Sequence, residues 1–169
     1  MQPGTRLAGK MAHVSAWNTT LMPLALVALA MFTLGGPEQN TAYADTVSAI
    51  RAEHHGCPKC VLSGADLSNQ CLQGANFTGA DLDHARLVLT CLSGANLKGA
   101  SLRRADLSGA NFLHADFGSA DLTGAVFSAT SIKGAQLKHA KGLTQQQIDA
   151  ACGDAETELP PGLTVKLCQ

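Results

Sequence analysis

The sequence predicts an all-β solenoid with short helical caps, and three observations carry that expectation. A five-residue unit, Ala-Asp/Asn-Leu-x-x, runs from about Cys60 to His139. It is plainest at Ala65-Asp66-Leu67, Ala75-Asn76-Phe77, Ala80-Asp81-Leu82, Ala95-Asn96-Leu97, Ala105-Asp106-Leu107, Ala110-Asn111-Phe112, Ala115-Asp116-Phe117 and Ala120-Asp121-Leu122. A large apolar residue recurs at every fifth position from Leu62 to Leu137, and Gly often stands two places after it. A period of five matches neither the 3.6 residues of a helix nor the two of a flat strand, so on either the apolar residue would drift from face to face. A fixed short period instead marks units that stack on their neighbours and bury one continuous core.

On these motifs the chain resembles the pentapeptide-repeat family, over sixteen consecutive units in the middle half of the sequence. The resemblance implies a right-handed quadrilateral parallel β-helix with four repeats per coil, hence about four coils. At a spacing of about 4.8 Å per coil, the rod is about 20 Å long. In that fold the central Leu or Phe fills the interior and the Ala two before it packs at the corner. Each buried Leu or Phe contributes roughly 1.5–3 kcal/mol, ample for a narrow core with few aromatics. Gly64, Gly74, Gly79, Gly94, Gly99, Gly109, Gly124 and Gly134 fall where a tight corner tolerates little side chain or needs unusual dihedrals.

Residues 1–44 read as a secretory signal peptide. Arg6 and Lys10 form a basic leader, Leu21 to Leu34 is an apolar run, and Ala42-Tyr43-Ala44 before Asp45 is a small-x-small cleavage site. The run of fourteen residues, interrupted by Pro23, is short of the roughly 20 that span a bilayer. The expectation is therefore an exported, periplasmic or secreted protein with no stable membrane span after cleavage. An uncleaved anchor is the alternative, and no Cys follows the run closely enough for a lipid anchor.

Export changes the meaning of the cysteines. All six (Cys57, Cys60, Cys71, Cys91, Cys152, Cys168) follow the cleavage site, an even number that reads as a disulfide framework with fifteen formal connectivities. Four repeats per coil, as the resemblance implies, would stack Cys71 and Cys91 on one face of adjacent coils. Their Cα atoms would then be about 4.8 Å apart, a separation that suits a disulfide. Cys152 and Cys168 flank the C-terminal segment and are expected to pair. Cys57 and Cys60 remain, in His54-His55-Gly56-Cys57-Pro58-Lys59-Cys60. Three readings stay open for that stretch: a disulfide closing the N-terminal mouth, a metal set of His54, His55, Cys57 and Cys60, or a redox dithiol. The βαβ context of a thioredoxin-like site is missing, and Val61 stands where haem attachment needs His.

The other histidines do not build a site. His84, His114 and His139 belong to the fifth, eleventh and sixteenth units, which four-sided counting places on three different sides. Neither paired carboxylates nor a Ser-His-Asp set stands out, so no catalytic residue and no cofactor is expected. Charge bears on the family's best-known branch, which protects DNA gyrase through a strongly acidic rod that mimics DNA. From Cys60 to His139 six acids balance six bases, and from Asp45 onward 12 acids against 10 bases leave a net charge of −2. An imitation of the phosphate field needs far more negative charge, and binding nucleic acid needs positive charge, so neither is expected.

Stacking accounts for the charges. Arg86 falls in one column with Asp66 and Asp106, and Arg103 above Asp83, while Arg103 and Arg104 with His84 make the most cationic spot. Val88, Leu89, Leu113 and Val126 are apolar at outward positions, and Val88 and Leu89 share a side with Val126. An exposed apolar patch marks a surface for a protein partner or a second copy. Residues 45–59 are expected to cap the N-terminal mouth, with Thr46, Val47 and Ile50 on a short helix. Residues 60–141 form the repeat and 142–169 a C-terminal cap. There Thr144 and Gln147 make a capping-box pair, Pro160-Pro161-Gly162 turns the chain, and Leu163, Val165 and Leu167 lie back on the last coil. The whole reads as a non-catalytic exported scaffold or protein-binding module.

Overall fold

Backbone pairing at intervals of 20 residues organises the structure, a computed structural model that describes Val47, Ser48, Ile50 and residues 56–168. Parallel bridges join each residue before a central Leu or Phe to its equivalent 20 positions on, and they form four columns. The first face carries Gly56, Asn76, Asn96, Asp116, Gln136 and Glu158; the second Val61, Asp81, Ser101, Asp121 and Lys141. The third carries Asp66, Arg86, Asp106 and Val126; the fourth Cys71, Cys91, Asn111, Ser131 and Cys152. Each rung is an isolated bridge rather than an extended strand, because two of every five residues are spent on a turn.

The central residues from Leu62 to Leu137 are buried, as are the Ala residues at the corners. Phe112 and Phe117 meet edge to face with ring centroids 5.0 Å apart. Thr90 and Thr130 stand in the corner place that Ala usually fills, and both are buried. Each hydroxyl donates to a carbonyl of the coil before: Thr90 to Leu67 at 2.9 Å and Thr130 to Leu107 at 2.8 Å.

The repeat's Asp or Asn has a defined task. In all eight of the units quoted above, its Oδ1 accepts the N–H two residues on, at 2.9–3.1 Å. Such a side-chain turn satisfies an amide that the ladder leaves over. The second turn residue then has positive φ at every corner from Lys59 to Gly134. Eight of those sixteen corners carry Gly and eight a side chain. A Cβ placed on Gly64, Gly74, Gly94 or Gly99 would meet nothing within 4 Å, so conformation and not crowding selects glycine there. Gly56 is the reverse: a Cβ would stand 2.6 Å from the backbone of Asn76, its partner on the first rung.

The ladder starts one unit earlier than the sequence motif, at Gly56, and continues beyond it. Helix α1, Gln145–Ala150, interrupts the coil, after which Cys152 and Glu158 pair with Ser131 and Gln136. Thr144 caps α1 in a full capping box with Gln147, and Ile148 is buried against the core. The Gln147 amide also donates to Leu122 O at 3.0 Å and Ala125 O at 2.9 Å, so one side chain caps both helix and coil. Of the tail residues expected to lie back, Leu163 packs on the core and Val165 reaches Gly153, but Leu167 is exposed. Leu167 pairs its backbone with Gly153, and that rung points the side chain outward. At the other end Val47 and Ile50 are helical and buried in the same core cluster. The leader, the Ala44-Asp45 cleavage site, Thr46, His54 and His55 lie outside the described residues. No helix among the described residues is long and apolar enough to cross a membrane.

Candidate functional site

Cysteines occupy three places along the rod. Cys57 stands in a central position and Cys60 in the next corner position, both packed against the core, and the structure pairs their sulfurs. A bonded pair offers no thiolate to a metal. Among the described residues no group of three or more His, Cys, Asp and Glu is placed to hold an ion. Cys152 and Cys168 are also paired, tying the end of the tail to the fourth face. Cys71 and Cys91 face each other as a direct rung of that face. Their sulfurs are 3.2 Å apart, and the Cys71 thiol donates to Cys91.

The histidines disperse: His84 follows the second face, His114 the fourth and His139 the first, and all three are exposed. A shallow groove on the first face is lined by Lys98, Asp116, Gly118, Lys138 and His139. Lys98 crosses the notch left by Gly118 to pair with Asp116 at 2.9 Å, so charges of both signs alternate there.

The cationic spot is smaller than the sequence suggested. Arg103 is engaged by Asp83 through Nε at 2.9 Å and through a second guanidinium nitrogen. That ion pair, with burial opposing and Ser101 assisting, holds the Asp83 carboxyl below its ordinary value. Arg103 is thus a rung of the charge ladder, and Arg104 at the next corner remains exposed. The Asp66, Arg86 and Asp106 column is present as consecutive rungs, with Asp106 Oδ1 accepting from Ser108.

Apolar exposure is real but not one patch. Leu89 is 60% exposed and Val126 47%, while Val88 is half-buried and Leu113 lies on the fourth face. Asp106, Ser108 and Gly109 separate the Val88-Leu89 corner from Val126. Leu89 lies flat on Gly109, where a Cβ would come within 2.7 Å of its Cδ2. Arg103 and Arg104 stand at the opposite edge of that third face. Val61, 70% exposed on the second face, was missed in the sequence. The signal was there, since Val61 occupies the Asp/Asn place of the first unit.

The model of the family described as "Pentapeptide repeats" matches eight copies, over residues 60–99, 92–124 and 114–141. Among solved structures, the chain is similar to HetL, a pentapeptide repeat protein involved in heterocyst differentiation regulation in the cyanobacterium Nostoc sp. strain PCC 7120. Identity is 29% and the TM-score 0.55, over 67% of this chain and 52% of HetL, so the chain spans about half of HetL's length. A pentapeptide repeat protein of the Arabidopsis thaliana thylakoid lumen matches at 25% identity and TM-score 0.24, over 66% of this chain and 82% of that one. Full-length QnrB1, a plasmid-mediated fluoroquinolone resistance protein, matches at 18% identity and TM-score 0.32, over 59% and 62%. No curated protein matches. The register of 20, the side-chain turn under each Asp or Asn and the match over 60–141 together mean that the chain belongs to the pentapeptide-repeat family.

Proposed function

We propose that this chain is an exported, non-catalytic scaffold that binds another protein through its side faces. The coil is right-handed with about four turns, residues 1–44 are removed on export, 45–59 and 142–169 are caps, and 60–141 is the binding rod. The observation that carries this reading is the distribution of contacts. The interior is filled by side chains, and α1 with Gln147 covers one end while Val47 and Ile50 join the core at the other. The side faces are what such a rod presents. Residues that interrupt their polar pattern along the third face, Leu89 with Val88 at one edge, Val126, and Arg103 and Arg104 at the opposite edge, are the partner surface. A neutral rod leaves no ground for gyrase mimicry or nucleic-acid binding.

Photo-crosslinking residues placed at Leu89, Val126 and, as a control, Asn76 test the surface in the producing cell. The expected outcome is a discrete adduct from Leu89 and Val126 and none from Asn76. An adduct of twice the chain's mass identifies a second copy as the occupant. The same products from all three positions, or no product, would contradict the assignment. The other reading, thiol or metal chemistry at His54, His55, Cys57 and Cys60, is weakened by the pairing of Cys57 with Cys60 against the core.

A further inference from the structure

The fourth face gives up something at Cys71 and Cys91. At the same place in eight other units, Asp or Asn accepts the N–H two residues on, a bond a cysteine sulfur makes poorly. Cys71 and Cys91 take that place on consecutive rungs of one column, and their sulfurs meet at 3.2 Å. The backbone around them is already fixed: Cys91 N donates to Gln70 O at 2.9 Å, and Leu72 N to Cys91 O at 2.8 Å. Cys71 is exposed and Cys91 half-buried. Residues 70–74 and 90–94 carry no charge, so no cation within those two units favours a thiolate.

We propose that Cys71 and Cys91 form a reversible thiol–disulfide exchange site for small disulfides, opening and closing on a rod that the ladder holds folded in either state. The exposed Cys71 loses its proton to solvent and its sulfur attacks one sulfur of a disulfide such as oxidised glutathione. That S–S bond breaks, and one glutathione leaves as a thiolate that takes up a proton. Cys91 then loses its proton and attacks the Cys71 sulfur, expelling the second glutathione. Two protein thiols are oxidised by two electrons and one glutathione disulfide is reduced to two thiols. Closure needs the sulfurs to move from 3.2 Å to about 2.05 Å, over a rung whose Cα spacing of about 4.8 Å suits a disulfide. Cys91, half-buried and directly opposite Cys71 on the next rung, is placed for the second, resolving step.

The test equilibrates the purified mature protein in glutathione buffers from reducing to oxidising, traps thiols by alkylation and maps the peptides. The Cys71–Cys91 link should appear and disappear with the buffer while circular dichroism and the Cys152–Cys168 link stay constant, and no glutathione should accumulate on the wild type. Cys91→Ser should stop with one glutathione on Cys71. Cys71→Ser should acquire glutathione on Cys91 several-fold more slowly, which keeps the test valid if one variant folds poorly. Thiols at both positions in the most oxidising buffer, glutathione retained by the wild type as readily as by Cys91→Ser, or loss of the circular dichroism signal when the pair is reduced would overturn the proposal.

Discussion

Thr90 and Thr130 do at the corner what alanine cannot, and the two differ in what their loss leaves behind. The Leu107 carbonyl also accepts from Ala110 N at 3.0 Å, whereas the hydrogen bond found to the Leu67 carbonyl comes from Thr90. Thr130→Val should therefore cost about 0.5–1 kcal/mol in denaturant unfolding, and Thr90→Val about 1–2 kcal/mol because it strands an acceptor. Equal costs would contradict that difference. Asp83 supplies a pH-dependent contribution. Its folded pKa is depressed below the ordinary 3.8, first by the hydrogen bond from Arg103. A depressed carboxylate stabilises the fold above its unfolded pKa, and that contribution is lost as pH falls through the folded value. Arg103→Ala should thus destabilise at neutral pH and match the wild type well below pH 3.8. Because Arg103 is largely exposed, solvent screening keeps the neutral-pH cost small. Melting temperatures of both proteins across pH measure it.

The repeat unit was legible from its period, since only a solenoid keeps every fifth residue inside. The column neighbours followed once four units per coil were assumed: Asp66 beside Arg86, Asp83 beside Arg103, Cys71 beside Cys91. Side-chain reach was not legible. Nothing in the period says that Asp and Asn turn back to the amide two residues on. Leu167 alternates with Leu163 and Val165 in sequence, yet the rung to Gly153 leaves it outside. Gln147 shows the same limit. Its capping box could be read from Thr144-x-x-Gln, but its donation to Leu122 and Ala125 depends on where α1 lands. Gln147→Ala should loosen that end by about 1–3 kcal/mol. Hydrogen exchange would show it as faster exchange at Ala129 and Cys152, whose amides bond across the cap junction, with Leu92 unchanged. Uniform acceleration along the rod would instead mean that the cap and coil unfold as one.

For the whole molecule, stability is a sum over coils and their junctions. Deleting residues 100–119 removes one complete 20-residue register and leaves every later residue over its own column. Deleting Arg103 and Arg104 alone removes a corner and pulls the following central residues out of the core. The shorter deletion should lower the melting temperature more than the longer one, and the opposite order would refute a ladder set by 20 residues. The proposed binding role rests on the same geometry: a filled interior, sides broken by a few apolar residues, and a cysteine pair near each end. The decisive measurement for this proposal is the intact mass of the protein purified from its own cells after alkylation without reductant. The expected result is a chain beginning at Asp45 with Cys57, Cys60, Cys152 and Cys168 unalkylated. A chain that retains the leader, or one alkylated at Cys57 and Cys60, would contradict the exported, stapled scaffold.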